Sequence, residues 1–436
     1  MAYDGIVTKH IVSELKNVLI GGKINKIYEP NKNEILLGIY SHSINYCLNL
    51  SISSDSYRAN LTTHAKSNPL NALGFCMLLR KHLIGGKITN IYTIGLERII
   101  YIDFECYNEL NDLVKKQLIV ELMGKHSNII LTNSNGIIID SLRHLSTEEN
   151  STRDILPARP YNIPKNNKID FLSIKTFDEF YKILSNSQTL DVGISSKFIG
   201  ISKLFVQNII TQNNIDNTIN SPNLKIIYKY LCEILSKIET NEVSIIPFKN
   251  DFTINISNTE NNLQSNFFID DFYTEKENNL LFTTYRNNVL KLVLSTLSKI
   301  KKKLYNINQK SEDCKNMDLY KLYGELITAN LYKYPSFTEN SISVPNYYNN
   351  NSIIEIPVDK NKTPSYNAKN YYKKYNKLKN TLLVITDQKK ETQSELDYLE
   401  SIIYEIDTCQ TVQDIDEIYS EISDNYLFEK IRTKSN

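Results

Sequence analysis

Paired cysteines, long apolar runs and a dominant charge sign are all missing from this chain of 436 residues. Its six cysteines, at 47, 76, 106, 232, 314 and 409, form no CxxC pair, so neither a disulfide framework nor a structural zinc site is expected. That usage suits a reducing cytosol. No stretch approaches the ~20 apolar residues of a membrane span, so no membrane partner is expected. The opening MAYDGIVTKHIVSEL lacks the charged-then-apolar grading of a secretory leader, and a cytoplasmic location is the expectation. With 50 Lys and Arg against 49 Asp and Glu, any nucleic-acid footprint has to be local. The six histidines show no HExxH spacing and pair with no evident nucleophile. GxxxxGK[ST] and GxGxxG are absent, and the single glycine of GKHSN (124–128) cannot form a phosphate cradle. No catalytic residue, metal or cofactor is expected.

What is present begins with a repeat. The ten residues from Leu19 read LIGGKINKIY, and those from Leu83 read LIGGKITNIY. Before each Gly-Gly the apolar residues fall at helical spacing: Ile11, Leu15 and Val18, then Leu73, Met77 and Leu83. Gly-Gly suits a helix C-terminus, where the next residue often takes positive φ. Strand-like segments follow, through Ile24, Ile27 and Tyr28 and through Ile88, Ile91 and Tyr92. EILLGIY (34–40) then matches RIIYIDF (98–104) without a gap. Two α–GG–β–β units are thus expected over residues 1–105, in one sheet or two packed sheets, with further strands at 118–123, 128–132 and 137–140. The Pro-rich LPARPYNIP (156–164) closes this region.

The expected class is α+β. A first domain spans 1–170 and a helical one 171–240, followed by short strands and a connection over 241–275. From 276 the pattern becomes heptad-like. Leu290, Val293, Leu297, Ile300, Leu304 and Ile307 form one seam. A second runs Tyr371, Tyr375, Leu378, Leu382, Ile385, Leu396, Leu399, Ile403, Ile406, interrupted at Lys389 and Thr392. Arms at 276–342 and 365–430 around a small middle element at 343–364 predict a long antiparallel hairpin coiled coil.

Charge along these arms is segregated. Arg286–Lys310 holds seven basic residues and no acid, whereas Glu391–Glu429 holds twelve acids and no Lys or Arg. The first run could face nucleic acid. In a hairpin turning near 346, however, position 300 faces about 392, and the two runs then pair across the seam, which is the preferred reading. Lys369, Lys373, Lys374, Lys377 and Lys379 differ. Their partner stretch has few acids, and they interleave with Tyr371, Tyr372 and Tyr375, a mixture that suits phosphate contact plus stacking. A solvated basic face is the alternative.

Aligning the two copies isolates Glu97-Arg98, which lies opposite Asn33-Glu34. The shared scaffold does not require an acid–base pair there. Arg98 could reach a phosphate or base while Glu97 orients a base or ribose. A surface ion pair worth ~0–1 kcal/mol is the plainer reading of these residues alone.

Several stretches together closely resemble the NFACT family: MAYDGIVT at the start, CMLLRKHLIGGKI (76–88), LERI (96–99), ELMGKHSNIIL (121–131), KLYGELITANL (321–331), NYY (346–348) and NAKNYYKKYNKLK (367–379). The resemblance implies a glycosylase-like NFACT-N domain, a helix-hairpin-helix-like domain and a long hairpin coiled coil with a middle element. Family members continue into an NFACT-R domain, so an end at Asn436 reads as truncation or a shortened member. The resemblance also implies ribosome-associated quality control. Such proteins bind the rRNA of an obstructed large subunit carrying peptidyl-tRNA and bring tRNA to it. In bacteria this is alanyl-tRNA (tRNA-Ala), for untemplated alanine tailing of the stalled chain. The implied tRNA positions are Asp4, Glu97 and Arg98, with Glu97 standing where Asp is frequent, and this reverses the plainer reading. Lys125 and His126 of MGKHSN join the five α-helical lysines as candidates for RNA or ribosome contact. Glycosylase chemistry does not carry over, because that mechanism uses an N-terminal Pro-Glu and this chain begins Met-Ala-Tyr-Asp. A factor rather than an enzyme is expected. The competing expectation, from an older family name, is a surface adhesin for host fibronectin or fibrinogen.

Overall fold

A computed structural model describes residues 2–146, 153–257 and 263–425. The chain divides into two compact units, one up to Asn278 and one from Asn279.

The first unit starts with α1 (Gly5–Leu19), whose Ile6, Ile11, Leu15 and Leu19 form a fully buried stripe. The strands β1 (Lys23–Asn31), β2 (Glu34–Ser41), β3 (Ile44–Ser51) and β4 (Arg58–Leu61) follow as a meander. After α2 (Gly74–Leu83) come β5 (Lys87–Tyr92), β6 (Ile99–Tyr107), β7 (Leu113–Glu121), β8 (Asn128–Asn133) and β9 (Ile138–Ser141). All nine make one antiparallel sheet in the order β4-β3-β2-β1-β5-β6-β7-β8-β9.

The two Gly-Gly segments therefore meet in the middle of the sheet. The Gly21 amide donates to the Ile88 carbonyl (2.9 Å) and the Gly85 amide to that of Ile24 (2.8 Å). In return the Ile88 amide donates to Gly22 (2.8 Å) and the Ile24 amide to Gly86 (3.0 Å). Gly21 (φ +83°) and Gly85 (φ +78°) take the left-handed conformation just past their helices. Of the apolar residues at helical spacing in the second copy Met77 is exposed, and α2 buries Phe75, Cys76, Leu79 and Leu83.

The helical region is a set of short elements, α3 (Phe177–Leu184), α4 (Leu190–Lys197), α5 (Lys203–Gln212) and α6 (Ser221–Glu239). Around Phe171 they pack an aromatic cluster of Phe180, Phe198 and Tyr228. A hairpin of β10 (Val243–Phe248) and β11 (Asp251–Ile256) leads to α7 (Gln264–Asp313). Residues 264–275 are thus helical, not the strands expected there. Ile269 and Tyr273, four apart, are buried on one face.

Glu14 caps the start of α7, accepting from the Asn266 amide (3.1 Å) and side chain (2.6 Å). Further along, fully buried Arg58 stacks 4.8 Å from the Tyr273 ring centre and pairs with Glu277 at 2.5 Å. Burial pushes the Glu277 carboxyl up, but Arg58 and Lys66 outweigh it and hold it below its ordinary value. Glu34, first residue of β2, completes this cluster with Lys66 at 2.6 Å.

In the second unit the first arm is not a single element. After α7 and one tight turn come α8 (Met317–Ala329) and a hairpin of β12 (Ser341–Asn346) and β13 (Ser352–Pro357). The return arm is α9 (Pro364–Thr408), followed by α10 (Val412–Asn425). Residues 426–430 of the expected arm lie outside the described residues. The arms run antiparallel, with Arg286–Asp407 (2.6 Å), Lys301–Glu400 (3.0 Å) and Lys303–Glu395 (3.6 Å) pairing across them. The apolar seam comes in two stretches. One joins Val289, Val293, Leu297 and Ile300 to Leu396, Leu399, Ile402 and Ile406. The other joins Ile307 and Cys314 to Ile385.

Among the described residues, no helix is long and apolar enough to cross a membrane.

Candidate nucleic-acid interface

Glu97 and Arg98 sit in the turn between β5 and β6, not on a strand. The Glu97 amide donates to the Ile94 carbonyl (3.1 Å), and the Thr93 hydroxyl to the Glu97 carbonyl (2.9 Å). One residue earlier, the Leu96 carbonyl is wedged between two glycines. A Cβ on either Gly5 or Gly200 would lie 1.9 Å from that oxygen. The Gly5 amide in turn donates to the Gly200 carbonyl at 2.8 Å. Three distant chain segments thus converge at backbone level, and this fixes where the turn presents its two charged residues.

Asp4 anchors the same junction from inside. It caps α1, with Oδ1 accepting from the Ile6 (3.1 Å) and Val7 (3.0 Å) amides. Its Oδ2 accepts from the Ser202 amide at 3.1 Å. Burial raises the Asp4 carboxyl above its ordinary value, against the pull of Ser202, Val7 and the Arg98 charge. Asp4 is therefore a buried positioning group, with both oxygens engaged by the chain's own amides.

Arg98 is half-buried. It donates from Nη1 to the Tyr57 hydroxyl at 3.2 Å, and its guanidinium carbon lies 5.9 Å from the centre of that ring. Glu97 accepts at Oε1 from the Asn166 side chain at 3.4 Å. Burial raises the Glu97 carboxyl, Asn166 and Arg98 lower it, and Asp170 adds to the rise. A cleft of about 190 Å³ opens here, lined by Leu96, Glu97, Arg98, Met123, Pro164, Lys165, Asn166, Lys168, Ile199 and Gly200. Exposed Lys165 and Lys168 put two more cations at its wall.

A guanidinium fork with two ammonium groups suits an anionic ligand, and the carboxylate beside them can accept from a base or ribose. Tyr57 and the 164–168 segment carry no sequence pattern that marks them. The latter reads only as the tail of a Pro-rich linker.

Lys125 and His126 are exposed on a tight turn two and three residues past Met123. Arg143 pins that turn through the Lys125 carbonyl (3.3 Å). Lys369, Lys373, Lys374, Lys377 and Lys379 lie in the second unit, exposed along α9 and without a carboxylate partner among the described residues. The stacking part of that expectation is corrected for Tyr371 and Tyr372. Tyr371 is buried, its hydroxyl donates to the Pro357 carbonyl, and its ring stacks on Tyr320 (6.0 Å between centres). Tyr372 packs over Gly324, where a Cβ would be 3.1 Å from the ring. Lys374 lies over Tyr371 and Tyr320, at 5.4 and 5.6 Å. These aromatics hold α8 against α9.

A family profile described as NFACT N-terminal and middle domains matches residues 4–436. The Rqc2 homolog RqcH of Bacillus subtilis is 32% identical over 430 residues, covering 97% of this chain and 75% of that protein. The Rqc2 homolog RqcH of Streptococcus suis is 31% identical over 438 residues, covering 100% and 77%. Among solved structures, the N-terminal part of the fibronectin/fibrinogen-binding protein of Streptococcus suis is similar with a TM-score of 0.51 and 28% identity, covering 63% of this chain and 100% of that one.

Proposed function

Because the chain belongs to the family of NFACT N-terminal and middle domains, we propose that it works in ribosome quality control as a tRNA-recruiting factor of the large subunit. On this reading it binds an obstructed 50S subunit that still holds peptidyl-tRNA and brings alanyl-tRNA for untemplated tailing. The ribosome forms the peptide bonds, so the chain acts as a factor and not as an enzyme. The observation that carries the tRNA assignment is the cleft in which Arg98, held by Tyr57, stands beside Glu97 with Lys165 and Lys168 on the wall. Sequencing the RNA that co-purifies with the chain from its native cells tests it. Enrichment of tRNA-Ala supports the tailing role, and absence of tRNA sinks it.

One observation favours a second reading, the fibronectin/fibrinogen-binding name of the similar Streptococcus suis structure. An adhesin would be labelled on intact cells, whereas a ribosomal factor co-sediments with large subunits in lysates.

A further inference from the structure

The two apolar stretches of the helical hairpin are separated by a polar defect. Thr392, on α9, sits in the seam fully buried, and its Oγ1 has no hydrogen-bond partner among the described residues. Above it a groove of about 540 Å³ runs between the helices. From α7 it is lined by Lys299, Lys302, Lys303 and Lys310, with Asn306 and Ile307. The α9 side contributes Gln388, Glu391 and Thr392, hence a single carboxylate.

Cross-arm pairing does not use up this charge. Lys301 and Lys303 reach Glu400 and Glu395, while Lys299, Lys302 and Lys310 have no ion-pair partner among the described residues. The basic run is therefore split: part sets register with the acidic run, and part is left facing a groove. We propose that this groove binds the phosphodiester backbone of RNA.

Its chemistry selects that occupant. The lysines are point charges on one rigid rail, about 4–5 Å and then about 12 Å apart along the axis at ~1.5 Å per residue. Amide side chains of Asn306 and Gln388 add donors beside them. A docking protein would need apolar or aromatic anchors, and Ile307 is the sole large apolar residue in the lining. No aromatic residue is among those that line it, so the contact reads backbone and not sequence. The inference extends the ribosomal reading by naming what the second unit takes, and it rests on neither Glu97 nor Arg98.

The test is fluorescence anisotropy of the chain with a labelled 20-base-pair RNA duplex, titrated with salt. Lys299→Gln/Lys302→Gln/Lys310→Gln should weaken binding about 10- to 100-fold. It should also flatten the log–log salt slope by roughly 2, given about 0.7–0.9 per phosphate contact. A control with equal charge loss on exposed unit-one lysines, Lys175→Gln/Lys182→Gln/Lys229→Gln, should change binding less than about 3-fold. Equal losses in the two triple variants, an unchanged slope in the groove variant, or no duplex binding by the unaltered chain would each overturn the proposal. Arg98→Ala should leave duplex binding intact while tRNA binding falls, so the groove and the tRNA cleft fail separately.

Discussion

Arg98 and Tyr57 are joined twice, by a 3.2 Å hydrogen bond from Nη1 to the phenol oxygen and by a guanidinium 5.9 Å from the ring centre. Tyr57 is itself buried, so it gives the guanidinium a fixed platform at the cleft. A pre-placed cation loses less entropy when an anionic ligand arrives.

That pairing separates two variants. Arg98→Ala removes the charge and should weaken tRNA binding by ~1–3 kcal/mol, about 5- to 150-fold. Tyr57→Phe keeps the ring but not the acceptor, and should cost only ~0.5–1.5 kcal/mol. Filter binding with tRNA, with circular dichroism to confirm folding, measures both. Unchanged affinity in folded Arg98→Ala removes Arg98 from the site.

The convergence at Leu96 makes a sharper demand on the backbone. Gly200 has φ +68°, and a Cβ there would meet the Leu96 oxygen at 1.9 Å. Gly200→Ala combines overpacking, ~1–3 kcal/mol, with left-handed strain of ~1–2 kcal/mol. A loss on the order of 2–5 kcal/mol should appear in urea unfolding. Wild-type stability would mean that the junction relaxes freely.

How much of this could be read from residues alone varies with the physics involved. The helices ending on Gly21 and Gly85, and the seam through Val293, Leu297 and Ile300, follow from local periodicity and were legible. The start of α7 was not, because Phe268, Phe272 and Tyr273 carry strand propensity that tertiary packing overrides. Tyr371 misleads for another reason: a ring among lysines reads the same whether it faces the core or solvent. In the site, Glu97-Arg98 stood out by comparison of the two repeats. Tyr57, Lys165 and Lys168 come from distant, patternless segments, and only folding assembles them.

Acid sensitivity should trace to His10. Its Nε2 lies 2.7 Å from the Ser265 hydroxyl in a fully buried position, and burial lowers its pKa from 6.5 to about 4. A depressed histidine contributes stability that is fully present above pH 6.5 and is lost as pH falls toward 4. The contribution is on the order of 3 kcal/mol. Burial raises the carboxyl of neighbouring Glu14, which acts in the opposite direction: its contribution is lost as pH rises. Between pH 7 and pH 5 the urea midpoint of His10→Gln should therefore fall less, or rise more, than that of the unaltered chain. The same pH 7-to-5 change in both proteins would mean that His10 is not the titrating group.

Thr392 offers a test in the stabilising direction. Its hydroxyl is buried between apolar seam residues without a partner among the described residues, and such a group costs ~1–3 kcal/mol of desolvation. Thr392→Val has nearly the same shape and no hydroxyl, so it should raise stability by about 1 kcal/mol. Thr392→Ser keeps the hydroxyl and loses the methyl, so it should lower stability by a similar amount. Thermal unfolding of the three proteins orders them Val, Thr, Ser. If Val is no more stable than Thr, the hydroxyl must find a partner in solution, and the seam interruption then carries no cost.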